Sequence, residues 1–152
     1  MVPRFNLRVA KSDATEEGRR NFKPGDVIIR EGDDGNEMFV INAGTVEVSK
    51  TILGEERFLN TLSEGDFFGE MSLINQKTRT ATVTAKTEVV ALALDWETFS
   101  RRIKKYQVVA LHIIQTLARR LDETLNVVGG LSRTNTSTKV MNELFQLVES
   151  EG

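Results

Sequence analysis

Between Phe22 and Leu94 the chain is cut into runs too short for helices. Val27–Ile29, Glu37–Ile41, Thr45–Val48, Arg57–Leu59, Thr80–Val83 and Glu88–Leu94 are rich in β-branched and apolar residues. Turn signals stand between them at Pro24-Gly25, Asp34-Gly35, Ala43-Gly44, Gly54 and Glu64-Gly65. Short strands with turns at this spacing lie antiparallel and close into a sandwich or jelly roll. After Asp95 the period lengthens. Asp95 is placed to cap a helix from Trp96 to about Lys104, and a longer helix follows from Gln107 to Val128, ended by Gly129-Gly130. The pattern predicts a mainly β domain followed by helices.

Composition narrows the chemistry. The 152 residues are enough to bury a core as one domain. A net charge of −2 gives no footprint for a nucleic-acid backbone. There are no cysteines, so disulfides and thiolate metal sites are excluded, which suits a cytoplasmic protein. No apolar run approaches the roughly 18 residues of a membrane span, and Met1 to Arg8 lacks the apolar core of a signal peptide. Metal-dependent jelly-roll enzymes need several histidines, whereas His112 is the single imidazole here and sits in the long helix. With no nucleophile–base pair either, catalysis and a metal site are not expected.

One stretch does carry binding chemistry. Phe68-Gly69-Glu70-Met71-Ser72 is followed by Leu73-Ile74-Asn75-Gln76-Lys77-Thr78-Arg79-Thr80-Ala81-Thr82. Gly69 allows a backbone to approach a ligand closely. The N–H groups of Met71 and Ser72, at the start of a one-turn helix, point toward an anion. Arg79 offers a planar fork for phosphate oxygens, and Glu70, an acceptor when ionised, suits ribose hydroxyls. An acid for sugar and a base for phosphate make a pocket for a nucleotide monophosphate. The blander reading of Glu70 is an exposed ion pair with Arg79, worth under about 1 kcal/mol.

These residues resemble the phosphate-binding cassette of the cyclic nucleotide-binding domains. The resemblance extends upstream through Phe22-Lys23-Pro24-Gly25-Asp26 to Gly32-Asp33, and downstream through Ala85-Lys86-Thr87 to Ala118-Arg119-Arg120-Leu121, covering about residues 22 to 128. It implies an eight-stranded antiparallel β-roll, a double-stranded jelly roll, with the cassette and C-terminal helices. It also implies that Gly69 and Glu70 meet the ribose 2′-hydroxyl region, that Arg79 neutralises the cyclic phosphate, and that Ser72 donates its backbone N–H. Thr80 falls where a hydroxyl can meet a guanine edge, so cGMP is admitted beside cAMP, and some cAMP-preferring members also carry Ser or Thr there. Val48 and Leu59 match apolar positions lining the purine. In the catabolite activators a Thr-Ser pair on the long helix reaches the purine. Here the pair is Thr124-Leu125, which keeps the threonine and loses the second polar residue.

The expected organisation is an N-terminal arm over 1–21, a binding domain over 22–128, and a linker with a short amphipathic helix over 129–152. Ile114, Leu117, Leu121, Leu125 and Val128 form a narrow seam that predicts a homodimer through 107–128. A helix-turn-helix domain needs on the order of 60 residues, and 24 follow Val128, so direct DNA binding is not expected. The expected function is a cyclic nucleotide sensor that moves its C-terminal helix. The alternatives are a docking or dimerisation module of the same fold and a sensor fragment of a larger regulator or signalling enzyme.

Overall fold

Two four-stranded antiparallel sheets face each other in the computed structural model, which describes residues 17–129 and 146–148. The strands are β1 (Arg19–Phe22), β2 (Val27–Ile29), β3 (Glu37–Ala43), β4 (Val46–Ile52), β5 (Glu55–Leu62), β6 (Phe67–Phe68), β7 (Thr82–Ala85) and β8 (Val89–Asp95). One sheet runs β1-β8-β3-β6 and the other β2-β7-β4-β5. Helix α1 (Glu70–Asn75) interrupts the strands, and α2 (Trp96–Lys105) and α3 (Gln107–Gly129) follow them.

The core lies between the sheets because each contributes its alternating apolar face. Phe39, Ile41, Phe68, Val89 and Ala91 come from the first sheet, and Val46, Leu62, Val83 and Ala85 from the second. Phe39 stacks on Phe68 at 5.2 Å between centroids, and Phe22 meets Phe39 edge-on. The β-roll predicted from the sequence is therefore present. Asp95 accepts a hydrogen bond from the Thr98 N–H at 2.8 Å, so α2 starts on the predicted cap. That N–H also holds the Asp95 carboxyl below the usual carboxylate range.

Two strands lie where the residues carry no β signal. Arg19–Phe22 pairs with β8 in register from Arg19↔Leu92 to Phe22↔Val89, so the expected arm over 1–21 ends before its last three residues. The reason is that β1 is an edge strand with an exposed charged face, and only Phe22 packs on the core. β6 is two residues long, too short for any periodicity. Residues 1–16 of the expected arm lie outside the described residues, as does most of the expected linker and short helix over 129–152, of which residues 146–148 are described and helical.

The chain divides into two units after Arg102. In the second unit, Ile113 and Thr116 of α3 are buried while Ile114, Leu121 and Leu125 are exposed. No helix among the described residues is long and apolar enough to cross a membrane.

Candidate ligand-binding site

The site grows from the end of β6. After Phe68 the chain turns through Gly69, whose φ of 81° lies in the left-handed region that favours glycine, and enters α1 directly. The N-cap of α1 is Gly69, which has no side chain to cap the first turn. Glu70 and Ser72 are buried in that first turn, and Met71 points outward. At its far end α1 stops on Gln76, also left-handed at φ 53°. A non-glycine residue there carries strain of about 1 kcal/mol. Gln76→Gly is expected to raise stability by roughly that amount in urea unfolding, leaving the buried residues of α1 in place.

Arg79 returns to this turn from the far side of the loop. It is 7% exposed. Its Nη1 donates to the carbonyl oxygens of Glu37 at 2.8 Å and Gly69 at 3.0 Å. Its main chain is pinned as well: Arg79 N–H donates to Asp33 O at 2.8 Å, and Gly32 N–H donates to Arg79 O at 2.9 Å. Burial lowers the guanidinium pKa, and the charges of Glu37 and Glu70 offset part of that effect. An arginine keeps its charge under such a shift, so a fixed cation is seated in a largely dry position.

The mooring uses one edge of the guanidinium. The remaining edge of Arg79 carries Nε and Nη2. That edge is the bidentate fork that matches two phosphate oxygens. Gly35 lies against it: a Cβ added there would overlap Nε and Cζ. A cleft of about 200 Å³ opens along β2, Arg30, Asp33 and Asp34, and Arg79 also lines it. Because Gly69 and Glu70 do not line that cleft, it flanks the cassette rather than forming it.

The structure thus brings Gly69, Glu70, Ser72 and Arg79 together, with Met71 on the outer side of the same turn. Thr80 is exposed beside Arg79, and its carbonyl accepts from Lys50 Nζ at 2.7 Å. Val48 sits in β4 opposite Val83 and packs on the core. Leu59 is exposed on β5 where the register shifts: Val48 pairs with Asn60 and Ser49 with Phe58, which leaves Leu59 without an opposite residue. Thr124 belongs to the second unit, and its hydroxyl donates to Arg120 O at 2.9 Å along α3. Sequence reasoning missed Gly35, Glu37 and Lys50. The Asp34-Gly35 turn signal was visible, but Glu37 acts through its carbonyl, which no side chain advertises.

The sequence profile of the cyclic nucleotide-binding domain matches residues 19–106. The chain belongs to the cyclic nucleotide-binding domain family. Like other members, this domain is similar to proteins of quite different size. It is 29% identical to a CRP-like cAMP-activated global transcriptional regulator of Mycobacterium tuberculosis, over 87% of this chain and 59% of that protein. It is 30% identical to human cGMP-dependent protein kinase 2, over 84% of this chain and 18% of the kinase. In three dimensions it resembles the crystal structure of the Thermus thermophilus catabolite activator protein with a TM-score of 0.65 and 36% identity, over 70% of this chain and 50% of that one. The cyclic nucleotide-binding domain described here therefore spans about three-fifths or less of the length of these relatives.

Proposed function

We propose that the chain is a non-enzymatic sensor that binds cAMP, with cGMP admitted by the Thr80 hydroxyl, and passes the event to its C-terminal helix. The observation that carries this reading is Arg79, buried and moored by Nη1 to the carbonyl of Gly69 at the start of α1 and to that of Glu37. The cyclic phosphate takes that fork and the first turn of α1 at Met71 and Ser72. Gly69 and Glu70 meet the ribose, and Val48, Leu59 and Thr124 line the purine. A cAMP-activated regulator and a cGMP-dependent kinase among the relatives support both nucleotides as candidates.

The signal is a population shift rather than a reaction. Phosphate binding draws the cassette inward, and a hinge near Trp96–Arg102 swings the long helix over the base. The binding domain extends from β1 at Arg19 through α3, and whatever lies beyond Gly130 receives the motion. Exposure of Ile114, Leu121 and Leu125 supports a homodimer through 107–128. The net charge of −2 offers no footprint for a nucleic-acid backbone, and the absence of cysteine suits a cytoplasmic setting.

Calorimetric titration of nucleotide-stripped protein with cAMP, cGMP and 5′-AMP tests the reading. Saturable binding of a cyclic nucleotide in the micromolar range, roughly −8 kcal/mol, without heat from 5′-AMP is the expected result. Absence of heat from both cyclic nucleotides would sink it in favour of a docking module. Sedimentation of the same samples reads the dimer.

A further inference from the structure

Lys50 is not among the residues proposed to meet the nucleotide, yet it is tied to the Thr80–Ala81 peptide, one residue beyond Arg79. It stands on β4, its ammonium donates to Thr80 O at 2.7 Å, and it pairs with Glu31 at 3.3 Å. Glu31 is itself fixed. Its second carboxylate oxygen accepts the Thr51 N–H at 2.8 Å, and its own N–H donates to the Thr82 hydroxyl at 3.1 Å. The Thr51 N–H, with help from Lys50, holds the Glu31 carboxyl below the usual carboxylate range, so the pair persists at neutral pH.

Thr80 and Ala81 precede β7, which begins at Thr82, so they lie outside its ladder. On the Arg79 side, the chain is held by the Asp33 and Gly32 main-chain bonds. On the Thr80 side, the carbonyl is held by Lys50. A salt-bridged lysine therefore fixes the middle one of the three peptides that join Arg79 to its sheet at Thr82. Its desolvation is modest, because Lys50 keeps 42% of its side chain in water, so removing it leaves no buried charge behind.

We propose that Lys50, braced by Glu31, is a positioning residue for Arg79: it sets the main chain beyond the arginine so that the Nε–Nη2 fork is aimed before the nucleotide arrives. This rests on the nucleotide site proposed above. Pre-aiming matters because a side chain that must be ordered on binding takes that entropy from the affinity. Since Lys50 acts on the phosphate end, its loss weakens all cyclic nucleotides alike and leaves the purine contacts unchanged.

The test uses Lys50→Met, Lys50→Arg and wild type, with calorimetry against cAMP and cGMP, ligand-free thermal melts, and the NMR signal of the Arg79 Nε–H. Lys50→Met is expected to bind both nucleotides about tenfold more weakly, the loss of one charge-assisted bond, with the cAMP-to-cGMP ratio unchanged. Its ligand-free melt stays close to wild type while the Arg79 Nε–H signal shifts or broadens. Lys50→Arg, which can still reach a carbonyl, recovers most of the affinity. Wild-type affinity in Lys50→Met overturns the role of Lys50, as does a loss that Lys50→Arg does not recover or a change in the nucleotide ratio. If wild type itself binds neither nucleotide, the site assignment fails first, and the unliganded Arg79 signal still decides whether Lys50 orders that side chain.

Discussion

Arg79→Ala is expected to weaken binding of cAMP and cGMP by about two to four orders of magnitude. Removing one partner of a largely buried charge pair costs about 3–5 kcal/mol, because the remaining charge is left uncompensated. Here the remaining charge is the cyclic phosphate, and it would sit against a cassette whose only other contribution is main-chain N–H dipoles. The substitution also takes a donor from the carbonyls of Glu37 and Gly69, at about 1–3 kcal/mol of stability if they stay dry. Ligand-free melting must therefore accompany the calorimetry, at a temperature where the variant is folded. Arg79→Lys keeps the charge but not the planar fork, and falls between the two. Thr80→Ala, which touches no phosphate donor, retains binding and shifts only the nucleotide ratio. An Arg79→Ala protein that binds as wild type would remove the assignment of the pocket.

Gly35→Ala should disable the same site without altering any residue that meets the ligand. A Cβ at this position would overlap Nε and Cζ of Arg79 and lie 2.7 Å from Nη2. The end of an arginine side chain ordinarily moves aside at little cost. This one is seated by two carbonyls on its other edge, so yielding means losing them and re-aiming the fork. Gly35 is not in the left-handed region, so the change adds crowding without backbone strain. Overpacking of this kind costs about 1–3 kcal/mol, and charged to the bound geometry it reads as roughly ten- to hundredfold weaker binding. Titration of Gly35→Ala with cAMP measures it, and an unchanged affinity would show that Arg79 reaches the ligand from another rotamer.

Much of this was readable in the chain because it is local. Gly69, Glu70, Ser72 and Arg79 lie within one short stretch, and a turn glycine, an acid and a base announce themselves by side-chain type. The strands with an apolar face, such as Met38–Ile41 and Val89–Leu94, were found for the same reason. What escaped acts through the main chain or at a distance. Glu37 stands 42 residues from Arg79 and contributes a carbonyl. Lys50 reaches Thr80 across 30 residues. Arg19–Phe22 looks like a solvated arm because an edge strand satisfies its pairing with backbone atoms and keeps its charges in water.

The strand order has a consequence for how the chain comes into being. In the sheet β1-β8-β3-β6 no two neighbours are consecutive in sequence, and Arg19 is paired with Leu92. Only the β4–β5 hairpin in the other sheet can close locally. Topologies dominated by distant pairs fold in milliseconds to seconds, and synthesis at about 5–20 residues per second delays β8 by further seconds after β3. Until β8 arrives, Met38, Phe39, Val40 and Ile41 have no strand on one flank. The newborn domain therefore passes through an interval in which the buried strand β3 is open to pairing with other chains until residues 89–95 close that edge.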